Sequence, residues 1–536
     1  MKLIQKIGVT RALAWCLGMA LASGITLAQS VRAAIRSPAE QAGVSSALST
    51  FATDERGWLE RFYAPRAYAP AWNPSSAADA LEVLRDATAH GLDPQDYGVD
   101  ALQRQLDGGA AGSVRFDIAL TAAMLRYLAD LGAGRVPSEY GVGPADAQPG
   151  RRDPVERLRA GLAGGGLRAA VRTAEPQLRQ YEWVKAALAD YRELAKAPYP
   201  ALPRPSAGVV AGGAYPGAGA LFERLVLLKD LPADAPPPPD GVYSGPMEEG
   251  VRRFQARHGL DEDGVLGRGT IEALNVPPGR RVRQLELTLE RLRWLPEFGL
   301  GPLIVVNLPA YRLWGLHRGS AEAPLEMRVV VGTAFRTETP LFVGQMRYVE
   351  FHPYWNVPRS ILHNEVLPGL ARDARYLAQN GMETVPPGAS VADLAADRAR
   401  VRQRPGPKNA LGAIKFAMPN PMDIYLHATP AQALFRRSRR DLSHGCIRVE
   451  DPAALALFVL GRQAPWNAEA VRAALQPGPT RRVDLARAIP VVIFYATAIV
   501  DNVGRPHFAA DIYGRDVKLQ QALAARHERI VSATEK

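Results

Sequence analysis

The apolar residues of this chain change their spacing along its length, and the change limits what each stretch can become. Between Pro38 and Ala197, segments such as AADALEVLRDATAHGL, FDIALTAAMLRYLADLGAGRV and QYEWVKAALADYRELA repeat apolar residues three and four apart, the period of an amphipathic helix. Some close on glycine, at His90-Gly91 and Leu131-Gly132, as helix C-termini do. From Leu303 the pattern differs: LIVVNLPAYRLWGL, LEMRVVVGT and PLFVGQMRYVEFHPYWNVP are β-branched and aromatic, broken by turn formers, which predicts strands. Between the two regions, APYPALPRPSAGVVAGGAYPGA has no period and reads as a linker. LFERLVLLKDL, PMEEGVRRFQARHGL and DEDGVLGRGTIEALNV then give three short helices. Next, VRQLELTLERLRWLP places Val282, Leu285, Leu289 and Leu292 on one helical face.

A chain of 536 residues is too long for one core. The expected fold class is multidomain α+β. A helical scaffold spans 38–200, a linker 201–219 and a three-helix unit 220–277. A mostly β, sandwich-like domain spans 278–515, and a C-terminal helix or tail spans 516–536. Residues 360–412 interrupt the β pattern, first helical and then Gly/Pro-rich in RVRQRPGPKNALG, and read as a helical lid insertion.

At the N-terminus, MKLIQKIGVTR precedes the apolar ALAWCLGMALASGITLA, a secretory signal over 1–33 with cleavage after Ala28 or Ala33. The expected location is the periplasm, and the alternative is an uncleaved membrane anchor. A lipoprotein is disfavoured, because Cys16 lies mid-run after Trp15. Cleavage at Ala28 removes Lys2, Lys6 and Arg11 and takes the formal charge from +11 to +8 (11 − 3). An exported basic chain points to anionic envelope polymers or membrane surfaces and away from nucleic acid, and the alternative is simply a solvated Arg-rich surface.

Loss of Cys16 leaves Cys446 as the only cysteine, so no intramolecular disulfide can form. A lone thiol in oxidising surroundings is exposed to oxidation, which makes DLSHGCIRVED (441–451) a chemical candidate. The alternative is an inert core cysteine. Acyl transfer by cysteine needs a thiolate, a base and backbone donors for the oxyanion. His427 in IYLHATP sits at the expected end of a strand, and His444 is two residues before the cysteine. Gly445 lets the backbone at 445 and 446 approach a carbonyl, while Arg448 and the run RRSRR (436–440) add positive potential.

Phe254-Gln255, His258-Gly259-Leu260, Asp263-Gly264-Val265, Gly267 and Thr270 resemble the three-helix peptidoglycan-binding domain of wall enzymes. DEDG is not an EF-hand, since the alternating oxygen ligands and the closing Glu are absent. SHGCIRVED, with HATP nineteen residues upstream of the cysteine, plus YWNVP and GxIKF, resembles the L,D-transpeptidase (YkuD-type) catalytic domain. FYAPRAYAPAW, HGLDPQDY and LRYLADLGAGRV extend the resemblance to the large multidomain Gram-negative type. This resemblance implies Cys446 as nucleophile and His427 as general base. Ser443, His444 and Gly445 would shape the pocket and oxyanion site, with Arg448 and Tyr425 contacting substrate. Ala428 follows His427, so a backbone carbonyl is expected to orient the base.

The activity so implied is a 3→3 crosslink formed by acyl transfer from tetrapeptide stems with release of D-Ala, a step in wall biogenesis and cell shape. An L,D-carboxypeptidase or hydrolase on the same fold, or a non-catalytic wall-binding scaffold, are the alternatives. Peptidoglycan stems would be the substrate, wall synthases or carboxypeptidases the partners, and carbapenems the acylating inhibitors. No metal or organic cofactor is expected. A zinc site of His427, His444 and Cys446 lacks the usual ligand spacing, and in a papain-like protease the His follows the Cys.

Overall fold

A computed structural model describes residues 53–139 and 153–534 and also places Gln29 and Arg32. The signal segment 1–33, apart from those two residues, lies outside the described residues. Among the described residues, no helix is long and apolar enough to cross a membrane.

The helical region is built on α1 (Thr53–Tyr63), α2 (Pro74–Arg85), α3 (Val99–Asp107), α4 (Val114–Ala133), α5 (Pro154–Ala160) and α6 (Leu167–Ala174). Caps fix their starts: the Ser113 side chain accepts from Phe116 N–H, and Asn73 and Ser76 form a reciprocal capping box. Leu59, Phe62, Leu81, Leu84, Phe116, Leu120, Met124 and Leu158 fill the core they share. Helix α7 (Arg179–Leu194) joins the helical region to the β domain: its Lys185 pairs with Glu175 and its Arg192 donates to Thr88 O, while Tyr181, Val184 and Leu188 pack with Leu285, Leu289 and Leu292 of α11 (Pro278–Arg293) in the core of the β domain. Helical spacing shows that a face will be buried, but not against which partner.

The three-helix unit comprises α8 (Ala218–Leu227), α9 (Gly245–Arg257) and α10 (Arg268–Leu274). Segment 201–219, expected as a linker, is packed into it. Leu202 and Tyr215 are buried in the unit's core, and Val209 bridges Leu266. The Pro/Gly composition masks these two anchors, and the chain gains backbone partners there without a regular period. Gln255, also buried, donates to Asp263 Oδ1, Val265 O and Thr270 Oγ1 and accepts from Gly264 N–H. The DEDG turn is thus held by a glutamine.

The C-terminal domain is mostly β, as expected. Its strands are β1 (Gly301–Asn307), β2 (Arg312–Arg318), β3 (Leu325–Gly332), β4 (Phe342–Phe351), β5 (Trp355–Asn356), β6 (Met382–Val385), β7 (Arg400–Gln403), β8 (Ile414–Ala417), β9 (Leu426–His427), β10 (Asp441–Ser443), β11 (Ile447–Val449), β12 (Arg481–Phe494), β13 (Ala498–Val500) and β14 (Pro506–Phe508). Among the described residues, nine form one mixed sheet in the order β10-β3-β11-β9-β8-β4-β12-β1-β2. Strand β2 also pairs with β3, so the sheet closes on itself, and its two layers are halves of one curled sheet. α12 (Pro452–Leu460) and α13 (Ala468–Ala474) follow β11, and α14 (Arg515–Thr534) ends the described chain.

The insertion predicted for 360–412 opens helically, as expected: Arg359–Ile361, Leu362–Val366 and Leu367–Arg372 follow one another without a break. What the pattern does not mark is a three-stranded sheet beside them, β5-β7-β6, with β5 just before the insertion. Its strands are two to four residues long, too short to leave a period in the sequence. The insertion has its own small core of Val357, Ile361, Leu362, Val366, Leu394 and Val401. Asn409, buried at its base, donates to Pro353 O at 3.0 Å and ties the two ends together.

Candidate active site

Strand register brings the candidate residues together. In the antiparallel pair β8–β9, Lys415 stands opposite His427, and in the parallel pair β9–β11, Arg448 stands beside His427. Directly registered residues share a face, and so do residues two apart on one strand. Lys415, His427 and Arg448 therefore make one row. Tyr425 and Cys446, each two positions earlier, make the next, and the Ile447 N–H to Tyr425 O bond of 3.1 Å holds this alignment. The Tyr425 and His427 rings are 5.8 Å apart, and Lys415 Nζ lies 4.2 Å from the Tyr425 ring centroid.

His427 is 5% exposed, and its Nδ1 lies 2.6 Å from Ala428 O. A carbonyl only accepts, so Nδ1 carries the proton and Nε2 keeps its lone pair. The base is oriented by a backbone carbonyl, that of the residue next to it. Burial first, then the positive charges of Arg448 and Lys415, lower its pKa to about 3. Cys446 is partly exposed, with Sγ 3.6 Å from Asp423 O. Burial pushes its thiol up, while hydrogen bonds from the Tyr425 backbone and hydroxyl and the charge of Lys415 pull it back. The resting site thus holds a neutral thiol and a neutral imidazole.

The loop carrying Cys446 is shaped from beneath. Gly445 has φ +115°, a conformation that side-chain-bearing residues avoid. Ser443 Oγ donates to Cys446 O at 2.6 Å and accepts from Gly445 N–H at 3.1 Å. The Gly445 amide, expected to serve the oxyanion, is engaged by Ser443 because the tight turn brings hydroxyl and amide together. Thr337 Oγ1 donates to Ser443 O at 2.9 Å, and buried Thr339 Oγ1 donates to Gly445 O at 2.7 Å. These threonines, in TAFRTET after β3, were not legible as site residues. A threonine-rich turn following a core strand is their only local signal.

His444 is half exposed and points away from the sulfur's row to Glu365, in the insertion, at 2.7 Å. Trp355, on β5, reaches the Tyr425 hydroxyl. Both contacts join the insertion to the catalytic wall. Of RRSRR, Arg439 pairs with Asp441 at 2.7 Å, and Arg440 is buried and donates to Val329 O and Tyr311 O. Their charge is spent on structure, and the site's positive potential comes instead from Arg448 and Lys415.

A model described as "L,D-transpeptidase catalytic domain" matches residues 301–492. A "Scaffold domain" model matches 57–188, and a "Putative peptidoglycan binding domain" model matches 223–274. A protein of Haemophilus influenzae named "Putative L,D-transpeptidase" is 34% identical over 271 residues, which cover 48% of this chain and 54% of that protein. The chain thus spans about half the length of this relative. Among solved structures, an L,D-transpeptidase from Stackebrandtia nassauensis aligns at 14% identity over 53% of this chain and 94% of its own, with a TM-score of 0.24. Another, from Xylanimonas cellulosilytica, aligns at 16% over 56% and 100%, with a TM-score of 0.18. The family matches fall in order on the helical region, the three-helix unit and the β domain, and Cys446 and His427 lie inside the last. The chain therefore carries a YkuD-type L,D-transpeptidase catalytic domain behind a scaffold domain and a peptidoglycan-binding domain.

Proposed function

We propose that this chain is an exported transpeptidase that forms 3→3 crosslinks in peptidoglycan by cysteine acyl transfer. The observation that carries the reading is the shared sheet face of Cys446, Tyr425 and His427, with the base neutral and its Nε2 unprotonated. His427 takes the thiol proton as Sγ attacks the carbonyl carbon of the third stem residue, diaminopimelate, in a tetrapeptide donor. The oxygen anion faces the Cys446 N–H. Collapse breaks the amide bond, and the departing D-Ala amine takes the proton from His427, leaving a thioester. The side-chain amine of a second stem then gives its proton to His427 and attacks the thioester. Sulfur leaves and regains the proton, closing the cycle with the new amide bond made.

The insertion belongs to the same proposal. It has its own core and reaches the site through Glu365 and Trp355, so it closes over the donor stem as a lid. The N-terminal segment would deliver the chain to the periplasm, and the three-helix unit would hold it on the wall. The test is to incubate purified chain with tetrapeptide muropeptides and weigh the products. A gain of one stem with loss of D-Ala supports transfer, whereas a gain of water makes the enzyme a hydrolase. Crosslinked dimer from a Cys446→Ala chain would overturn the reading.

A further inference from the structure

The chain pairs its buried cations. Arg257 meets Asp230, Arg293 meets Glu290, Arg526 meets Asp130, and Arg224 and Arg440 donate to backbone carbonyls. Leaving such a group without a partner is costly, because it has lost water and gained nothing in exchange. Lys415 and Arg448, both half-buried in the row beside Cys446, have no partner of this kind. Among the described residues, neither donates its side chain to a carboxylate or a carbonyl, and Arg448 Nε is buried with no partner at all. Both flank His427 in register, and Lys415 leans over Tyr425, the neighbour of Cys446 in the next row. Of the acidic groups at this loop, Glu365 is taken by His444, and the Asp423 carboxylate, whose charge acts on Cys446 and Tyr425, makes no ion pair with either cation among the described residues.

We propose that Lys415 and Arg448 form a carboxylate-binding site beside the Cys446 sulfur, with Lys415 a substrate-positioning residue of this enzyme. Substrate identity here rests on the acyl-transfer reading. A stem offers two carboxylates near the scissile carbonyl: the terminal one of the leaving D-Ala and the distal one of diaminopimelate. Either would supply the missing anion.

Two alkylating agents of Cys446 read the site without turnover. Iodoacetate and iodoacetamide both form an Sγ–C bond and expel iodide, and only the first carries a carboxylate. A change in thiol reactivity cancels in the ratio of their rates. In K415M that ratio should fall about fivefold relative to the unsubstituted chain, the order expected for loss of one hydrogen bond to a charged group at a half-exposed position. K415R should largely restore it. A ratio unchanged in K415M overturns the site, as does one that K415R fails to recover in a chain that melts normally. On substrate, the loss of kcat/KM in K415M should vanish with a stem amidated at the terminal carboxylate or with one amidated at the distal carboxylate, and the stem that abolishes it names the source. A loss undiminished on both overturns the assignment. A normal alkylation ratio in a chain that turns over no stem would leave the carboxylate site standing and remove the transferase reading instead.

Discussion

At the scale of single residues, the site depends on an imidazole kept neutral by burial. A free histidine titrates near 6.5, whereas His427 in the folded chain does so near 3. Its base form then predominates from pH 5 to 8, so kcat/KM measured over that range should show no ionisation near 6.5. A limb there would mean that His427 is solvated. Linkage gives the matching effect on stability. Between pH 6.5 and 3 the unfolded chain binds a proton that folded His427 refuses, so its contribution is complete above 6.5 and declines as pH falls through that window. Urea melts at pH 7 and pH 5 should differ less in His427→Gln than in the parent, with His90, His258, His317 and His507, which burial also lowers, contributing to what remains.

At the scale of elements, the catalytic loop is only as ordered as the 333–339 turn beneath it. Thr339 accepts from Gly332 N–H and donates to Gly445 O, so Thr339→Val leaves two buried backbone groups without partners. It should cost about 2 to 3 kcal/mol in denaturant melts and lower the alkylation rate of Cys446. Glu365→Gln keeps the shape of the insertion's contact with His444 and removes its charge. It should raise KM more than it lowers kcat and make turnover less sensitive to salt, because the ion pair is half exposed and screened. Unchanged KM and salt response would leave the insertion without a gating role. The elements themselves were largely legible: the change of period separates helical from β regions, and Cys446, His427 and Tyr425 follow from a short motif. Lys415 stands in the GxIKF run but takes no role from it, because a lysine in a strand is ordinarily solvated, and only the pairing of β8 with β9 reveals its neighbour. The small sheet of the insertion, and Tyr215 inside a Pro/Gly segment, were hidden for want of length and period.

At the scale of the whole molecule, the three units are bound by buried charge. Arg526 and His527 of α14 reach back to Asp130 and Asp96 in the helical region, at 2.8 and 2.7 Å. Arg257 of the three-helix unit pairs with Asp230 and also donates to Pro506 O on β14. The sequence marked α14 only as a helix or tail, since its partners lie nearly four hundred residues away. Arg526→Ala strands the buried Asp130 carboxylate and should destabilise the chain by about 3 kcal/mol, visible as a lower thermal midpoint. Unaltered melting would mean that α14 docks without that pair.

The central claim is that Cys446 carries the acyl group. Wild-type chain mixed with a tetrapeptide stem and no acceptor, quenched in acid and mapped by mass spectrometry, should bear the stem less D-Ala on the 441–451 segment, and His427→Gln should load far more slowly. An adduct on another residue, or the same adduct in Cys446→Ala, would contradict the account.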